Sequence, residues 1–141
     1  MTVIKFPDFV NHTVFLSMFG KQRIIAPSLF INFYDRHVQD SSKVLDFDLS
    51  AMEFVVLDTH IGYLRKTENV TLPVSISGNY FSQEVNSDCL GVIATLFCLS
   101  ELCMMGYRKN WKYNHLIIAS DALKDRVSLR DDRSTIWKAI D

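Results

Sequence analysis

One long apolar stretch limits what this chain can fold into. In the segment from Gly78 to Met105, the second half is apolar nearly all the way round a helix. Its clear polar breaks are Thr95, Ser100 and Glu101. A helix without a polar face is a buried helix, so the rest of a small domain has to pack around it. The first half of the segment is polar, rich in turn-forming residues, and leads into the start of that helix.

Length and charge exclude several classes of protein. The 141 residues, 48% apolar and 22% charged, predict one globular domain over residues 1–141. Lys and Arg number 15, Asp and Glu number 16, and the formal net charge is -1. A protein that holds phosphates by charge usually has a strong basic excess, and a DNA mimic needs a dense field of carboxylates. Neither pattern is present in bulk.

The N-terminal sequence and the cysteines predict a cytoplasmic protein without a membrane partner. The first twelve residues, MTVIKFPDFVNH, lack the basic start and apolar run of a signal peptide. The apolar run from Cys89 to Leu99 is shorter than the about 20 residues that span a bilayer. In a reducing compartment, Cys89, Cys98 and Cys103 are expected to be small buried hydrophobes.

Helical periodicity predicts five helices. A short helical turn ends at Gly20, and a longer helix runs from Pro27, which suits a helix start, towards Gln39. The central helix is expected to be capped by Ser87 or Asp88 and to stop at Gly106, with Gly91 kept for close packing. Two further helices follow: Lys109–Arg126, and a last short helix capped by Asp131 or Asp132.

Alternating and apolar patterns predict several short strands, and Pro73 places one of them at a sheet edge. Residues Asp58–Asn69 are expected to be mostly loop. The fold class predicted from all elements is α+β: a single domain with a small antiparallel sheet of about three to four strands, packed against a buried central helix and several flanking helices. The predicted strands are Lys43–Leu49, Glu53–Leu57, Thr71–Ser77 and Tyr80–Val85.

Motifs for catalysis, metals and cofactors are absent from the sequence. There is no glycine-rich phosphate loop, no nucleophile elbow, no HExxH, and no zinc-type pairing of cysteines. We therefore predict no catalytic residue, metal ligand, cofactor or small-molecule substrate, and a protein that is not an enzyme. A hydrolase that uses Asp88 or Cys89 at the helix start remains as the enzymatic hypothesis.

Polar residues before the central helix are the best site candidates. A helix start offers N–H donors and a partial positive charge. Two interpretations stay open: capping and turn formation, or a binding surface. The cluster comprises Asn79, Ser82, Gln83, Glu84, Ser87 and Asp88.

Two charged segments also allow two interpretations each. The run from Lys124 to Arg133 alternates in sign, which is typical of a solvated face with local ion pairs. The basic-aromatic cluster around Trp111, between Arg108 and Lys112, is either an amphipathic helix start or a place where a nucleic-acid base stacks.

Three segments resemble the ArdB/KlcA antirestriction family. They are GNYFSQEVNSD at 78–88, GVIATLF at 91–97 and the ending IWKAID at 136–141, with a weaker similarity at Phe15-Leu16 and Phe19-Gly20. The resemblance covers essentially the full length, although 21–72 match only loosely. It implies a protein carried by plasmids or other mobile elements, which relieves type I restriction of incoming DNA without mimicking DNA.

The resemblance implies a partner rather than a substrate. The expected partner is the type I restriction–modification complex, contacted directly or indirectly and inhibited without covalent chemistry. The alternative function is a nucleic-acid-binding protein that protects the DNA substrate itself. Gly91 also matches the family, and the residues expected to bind the partner are Asn79, Ser82, Glu84, Asp88 and Asp141.

Overall fold

Five α-helices, five strands and four short 3-10 helices make up the described part of the computed structural model, residues 2–39 and 48–141. The helices are α1 (Thr13–Phe19), α2 (Ala26–His37), α3 (Ser87–Lys109), α4 (Asn114–Val127) and α5 (Arg133–Ile140). The strands are β1 (Thr2–Lys5), β2 (Met52–Val56), β3 (Gly62–Lys66), β4 (Thr71–Ile76) and β5 (Phe81–Asn86). The predicted α+β single-domain class is confirmed.

The strands form two antiparallel sheets instead of the one expected. β1, β2 and β3 form a three-stranded sheet in that order, and β4 pairs with β5 as a hairpin. In the larger sheet, Phe54 of β2 lies opposite Ile4 on one side and Leu64 on the other. An isolated bridge joins Val38 to Val74 and ties the end of α2 to β4.

The central helix α3 packs against β3, α2, α4 and α5. Its N-cap residue is Asn86, whose side-chain oxygen accepts a hydrogen bond from the Cys89 N–H at 2.8 Å. The predicted caps are therefore wrong. Ser87 is buried and its hydroxyl donates to the carbonyls of the segment before β4, at Glu68 and Val70. Asp88 binds side chains instead.

The predicted stop at Gly106 is also wrong. The helix continues to Lys109 and ends at Asn110, which takes the left-handed conformation (φ 58) that closes many helices. Gly106 serves packing, because a Cβ there would clash with the ring of Trp111. The next helix consequently starts later than expected, at Asn114. Asp132 precedes α5 as predicted, but its side chain makes no cap hydrogen bond.

Burial of α3 is nearly complete from Cys89 to Leu99 and decreases towards the end of the helix. Residues such as Leu90, Ile93 and Leu99 are fully buried, but Met104 is 60% exposed and Tyr107 is 78% exposed. The expectation of a helix buried all round is therefore wrong for its last turns. By length and composition α3 could cross a membrane, contrary to the expectation from sequence, yet 67% of that apolar window is buried inside the protein, as in the core helix of a globular fold.

Gly91 and Thr95 let α3 sit directly on the open edge of β3. The Thr95 hydroxyl accepts the Leu64 N–H at 3.0 Å and donates to the Gly91 carbonyl at 2.7 Å. A Cβ on Gly91 would clash with the Leu64 carbonyl oxygen, so the predicted close packing at Gly91 is confirmed. One buried hydroxyl thereby satisfies a sheet-edge donor that water cannot reach.

The segment predicted as loop at Asp58–Asn69 contains strand β3, which corrects that prediction. Its charges suggested a solvated segment, but Arg65 lies directly opposite Glu53 in the sheet and is paired with it. The strand predicted at Lys43–Leu49 falls mostly outside the described residues, and its last residue begins a short 3-10 turn. Strands β2, β4 and β5 confirm the other three predictions to within about a residue at each end.

Candidate partner-binding surface

The β4–β5 hairpin separates apolar from polar side chains. Phe81 and Val85 of β5 are buried. Ser82 and Glu84 lie between them in sequence and are exposed, because successive side chains of a strand point to opposite faces. Their cross-strand neighbours on that outer face are half-buried. Two of the five predicted binding residues therefore share one accessible face of a paired strand.

The turn of the hairpin presents an aromatic side chain to solvent. A 3-10 turn at Ser77–Asn79 leads into Tyr80, which adopts positive φ (54°) and is 97% exposed. Positive φ is uncommon outside glycine, so the turn geometry is specific. An aromatic ring held so far from the core adds nothing to folding by burial. Its position directly before β5 makes Tyr80 part of the candidate surface.

Asn79 connects the hairpin turn to the C-terminal helix. Its side-chain amide donates to the carbonyl of Ala139 in the last turn of α5. Asp141 follows α5, is exposed, and lines a cleft of about 370 Å³ between α3, α4 and α5 together with Trp137 and Lys124. The structure thus brings two residues far apart in sequence, Asn79 and Asp141, to the same end of the molecule.

Asp88 lies at the opposite end of β5 and is held by three side chains. Its Oδ1 accepts from the Arg65 guanidinium at 2.7 Å and from the Tyr63 hydroxyl at 2.5 Å. Its Oδ2 accepts from Arg130 at 2.7 Å. Both carboxylate oxygens are therefore engaged inside the protein. Asp88 does not join the exposed face formed by Ser82 and Glu84.

The contacts of Asp88 continue into a larger charge cluster, here called the Asp88 network. Arg65 also donates to Glu53 at 2.7 Å, and Arg130 also binds Asp132 at 2.7 Å. The members come from β2, β3, the start of α3 and the segment before α5, so the network joins four parts of the fold. Its members are Glu53, Tyr63, Arg65, Asp88, Arg130 and Asp132.

Protonation in the network follows from its contacts. Burial opposes the charged form of Asp88, but the hydrogen bonds from Tyr63, Arg130 and Arg65 outweigh it and lower the pKa of that carboxyl. Burial, with the hydrogen bond to Asp88, raises the pKa of Tyr63 to about 12. Asp88 is therefore an anion at neutral pH, and Tyr63 stays a neutral donor.

Cys89 is a protonated thiol at neutral pH. Burial first, and then the nearby Asp132 carboxylate, raise the pKa of Cys89 to about 12. A nucleophilic cysteine needs the opposite shift, toward the thiolate. In the described residues, no three His, Cys, Asp or Glu side chains are grouped to hold a metal ion.

Several residues of this region carry no local signal of their role. The sequence pattern places Arg65 in a loop and Arg130 in a solvated charge run. The local pair between Arg130 and Asp132 follows that expectation, but the bond from Arg130 to Asp88 joins positions 42 residues apart. No local pattern signals such a contact. For Tyr80, the only available signal was the Gly78-Asn79 pair, which marks a turn directly before it.

Comparisons of the sequence with models of known protein families and with curated proteins gave no match. The exposed strand face, the turn with Tyr80, and the end of α5 therefore stand on their geometry.

Proposed function

We propose that this protein is an antirestriction protein that relieves type I restriction of incoming mobile-element DNA. It acts by non-covalent contact with the restriction–modification complex. Support comes from the similarity of segments 78–88, 91–97 and 136–141 to the ArdB/KlcA family. The first of these segments forms the hairpin turn, β5 and the start of α3, and the last forms most of α5.

The observation that carries the proposal is the exposed polar face of β5. Ser82 and Glu84 are exposed on one face of a strand that is paired to β4 and anchored by buried Phe81 and Val85. Such a row is ordered before a partner arrives, so little conformational entropy is lost on binding. A preformed polar surface suits recognition of a macromolecule.

Charge supports inhibition without DNA mimicry. The chain has a net charge of -1. Two of its more central carboxylates, Glu53 and Asp88, are paired with arginine and do not contribute to an acidic field. A surface that imitates the DNA phosphates would need unpaired carboxylates in dense array. The proposed contact is therefore with protein surfaces of the complex.

The experiment measures plating of unmodified phage on a type I restricting host. Expression of the protein is expected to raise plating efficiency, and Glu84→Lys is expected to lose most of that effect while remaining folded, because Glu84 is exposed. Asp125→Lys makes the same charge change at an exposed position of α4, and this variant is expected to raise plating efficiency as the wild type does. Unchanged restriction with the wild-type protein rejects the proposal. Modification of host DNA is scored separately, since loss of both activities indicates blocked DNA binding.

The alternative function, protection of the DNA itself, rests on the basic-aromatic cluster around Trp111. In the structure Lys109 lies 5.8 Å from the centroid of the Trp111 ring, and the ring packs against Gly106. These contacts occupy the ring that a base would need. Titration with duplex and branched DNA at several salt concentrations distinguishes the two functions, because a phosphate binder weakens steeply as salt rises.

A further inference from the structure

A hydrogen bond on the outer side of β4 shows which main-chain groups of β5 point away from the hairpin. The Pro73 carbonyl accepts from the Gln39 N–H at 2.9 Å, so it points away from β5. Pro73 lies directly opposite Glu84. In an antiparallel ladder, opposed residues either exchange both main-chain hydrogen bonds or make none with each other. The Pro73–Glu84 pair is of the second kind, so the N–H and C=O of Glu84 point away from β4.

The same alternation fixes the direction of the neighbouring groups. Ser82, two residues before Glu84 and opposite Ser75, also points its N–H and C=O outward. The Ser87 N–H donates to the Val70 carbonyl at 2.8 Å. Ser87 lies an odd number of positions after Glu84, so the alternation predicts that its main-chain groups point inward, as this bond shows. In the described residues, no main-chain or side-chain group bonds to these outward groups.

Two other strand edges are covered, whereas within the described residues no hydrogen bond covers the outer edge of β1. The Leu64 N–H of β3 is bound by Thr95 of α3, and β4 is bound on its outer side by Val38 and Gln39. An exposed edge with two free N–H and two free C=O groups is a template for another strand. On β5 this edge coincides with Ser82 and Glu84, two of the positions in the segment that resembles the family.

We propose that the edge of β5 binds an extended segment of the restriction–modification complex as an added strand, with a basic residue of that segment facing Glu84. This inference rests on the proposed function and specifies how contact is made. Main-chain hydrogen bonds to Ser82 and Glu84 supply the affinity in this mode of recognition, and facing side chains supply specificity. Glu84 is exposed and has no ion pair within residues 2–39 and 48–141.

Geometry supports the charge pairing. Side chains directly opposite each other on adjacent antiparallel strands have Cβ atoms about 4.5–5.5 Å apart, which is within reach of a Glu–Lys or Glu–Arg pair. Tyr80 stands at the start of β5 with its ring exposed, where it can pack on the added segment. Tyrosine in such positions is a common anchor of protein interfaces.

Ser82→Pro tests the added strand, because proline deletes the outward N–H and leaves the hydrogen bonds between β4 and β5 in place. Proline is tolerated on an edge strand when its missing N–H faces away from the sheet. Ser82→Ala is the matched control, since it removes the hydroxyl and keeps the N–H. Circular dichroism and the melting temperature confirm that both variants fold. Because the two variants differ in the main-chain N–H, we expect Ser82→Pro to lower phage plating at least tenfold relative to Ser82→Ala.

A second measurement uses the wild-type protein alone and does not depend on whether a variant folds. Amide hydrogen exchange is followed with and without a purified type I restriction–modification complex, then quenched and read residue by residue. The Ser82 and Glu84 amides are expected to exchange fast in the free protein and to slow at least tenfold in the complex. The Gln83 and Val85 amides, which bond to β4, are expected to be slow in both states.

The outcomes separate the two proposals. Wild-type protein that relieves no restriction overturns the proposed function, and this inference with it. Wild-type activity that Ser82→Pro fully retains, or equal exchange of the Ser82 and Glu84 amides with and without the complex, overturns strand addition alone. A wild-type dimer that Ser82→Pro converts to a monomer also overturns it, because the occupant of the edge is then a second copy of this chain.

Discussion

Asp88 shows how one carboxylate can join distant parts of the chain. Its oxygens bind Tyr63 and Arg65 of β3 and Arg130 of the segment before α5. The two guanidinium groups are largely buried, and each also binds a second carboxylate, Glu53 or Asp132. Asp88 is shared by both arginines, so loss of its charge weakens two charge-assisted hydrogen bonds at once, which costs more than losing one exposed pair. Substitution of Asp88 is therefore expected to lower the stability of the fold.

Asp88→Asn keeps the shape of the side chain and removes its charge. Because the site is only partly buried, we expect the free energy of unfolding to fall by about 1–3 kcal/mol, between the values for exposed and buried pairs. Urea denaturation followed by circular dichroism measures it. Asp125→Asn, at an exposed position of α4, is expected to change stability by less than about 0.5 kcal/mol. Equal stability of Asp88→Asn and wild type would show that the network is not coupled to folding.

The same network predicts a loss of stability in acid. The pKa values of Asp88 and Asp132 are lowered in the folded state, so the unfolded chain binds protons more readily. Their contribution is fully present above about pH 5, and it disappears as pH falls through the folded-state values. Urea midpoints measured from pH 7 to pH 2 are expected to decline below about pH 5. The decline is expected to be shallower in Asp88→Asn, and an identical pH profile for both proteins would contradict this.

Gly91 is kept for contact with the β3 backbone. A Cβ at this position would clash with the Leu64 carbonyl and the Arg65 main chain, which cannot rotate away. Gly91→Ala is therefore expected to lower stability by about 1–3 kcal/mol, although alanine favours helices. Gly78→Ala is the control, because a Cβ at Gly78 would meet nothing within 4 Å. An increase in the urea midpoint of Gly91→Ala would show that α3 can move off β3.

Strand β3 is stabilised by the helix that covers its open edge. Strand β3 carries charged residues, yet it is central to the core because α3 covers its open side. The Thr95 hydroxyl does for Leu64 what a neighbouring strand would otherwise do. A helix and a sheet are thus joined by a main-chain donor and a side-chain acceptor, in addition to apolar contact.

Thr95→Val tests that junction with almost no change in volume. The variant leaves the Leu64 N–H without its acceptor in a dry site, so we expect a loss of about 1–3 kcal/mol in the free energy of unfolding. Thr95→Ser keeps the hydroxyl and loses a methyl group, and it is expected to cost less than Thr95→Val. The Leu64 amide should exchange faster in Thr95→Val. The opposite order of the two variants would show that packing of the methyl group dominates.

Sequence patterns predicted the elements whose signals are local. The apolar run of α3, the alternation of β4 and β5, and the turn between them all come from neighbouring residues, and these predictions are confirmed. Strand β3 was missed because Arg65 and Lys66 suggest solvent when read without their partners. Arg65 is neutralised across the sheet by Glu53, and no local pattern indicates that pairing.

The candidate site was likewise predictable where its signals are local and not where they depend on contacts between distant residues. In the sequence, Ser82 and Glu84 belong to the polar cluster before the central helix, and the structure places them on one exposed face. Asp88 looked equivalent in sequence, but its partners at Arg65 and Arg130 lie 23 and 42 residues away. Three-dimensional contacts alone separate a polar residue with an exposed side chain from one whose side chain holds the fold together.

At the scale of the molecule, two sheets and the flanking helices share one hydrophobic core. Buried side chains from both sheets and all five described helices form a single cluster around α3. Asn79 ties the hairpin to α5, and the Asp88 network ties α3 to the larger sheet and to the segment before α5. No subset of these elements has a core of its own, so the exposed face of β5 depends on the whole domain for its rigidity.

This arrangement predicts a single cooperative unfolding transition. Trp111 lies just after α3 and Trp137 lies in α5, so the two indoles report on different regions. Tryptophan fluorescence and far-ultraviolet circular dichroism are expected to give the same urea midpoint, with a slope of roughly 1–3 kcal/mol per molar urea. Trp111→Phe isolates the signal of Trp137 and is expected to show one transition by both probes. If the fluorescence of Trp137 changes at a lower urea concentration than the circular dichroism signal does, α5 unfolds separately. The hairpin turn that contacts α5 is then not held by the common core.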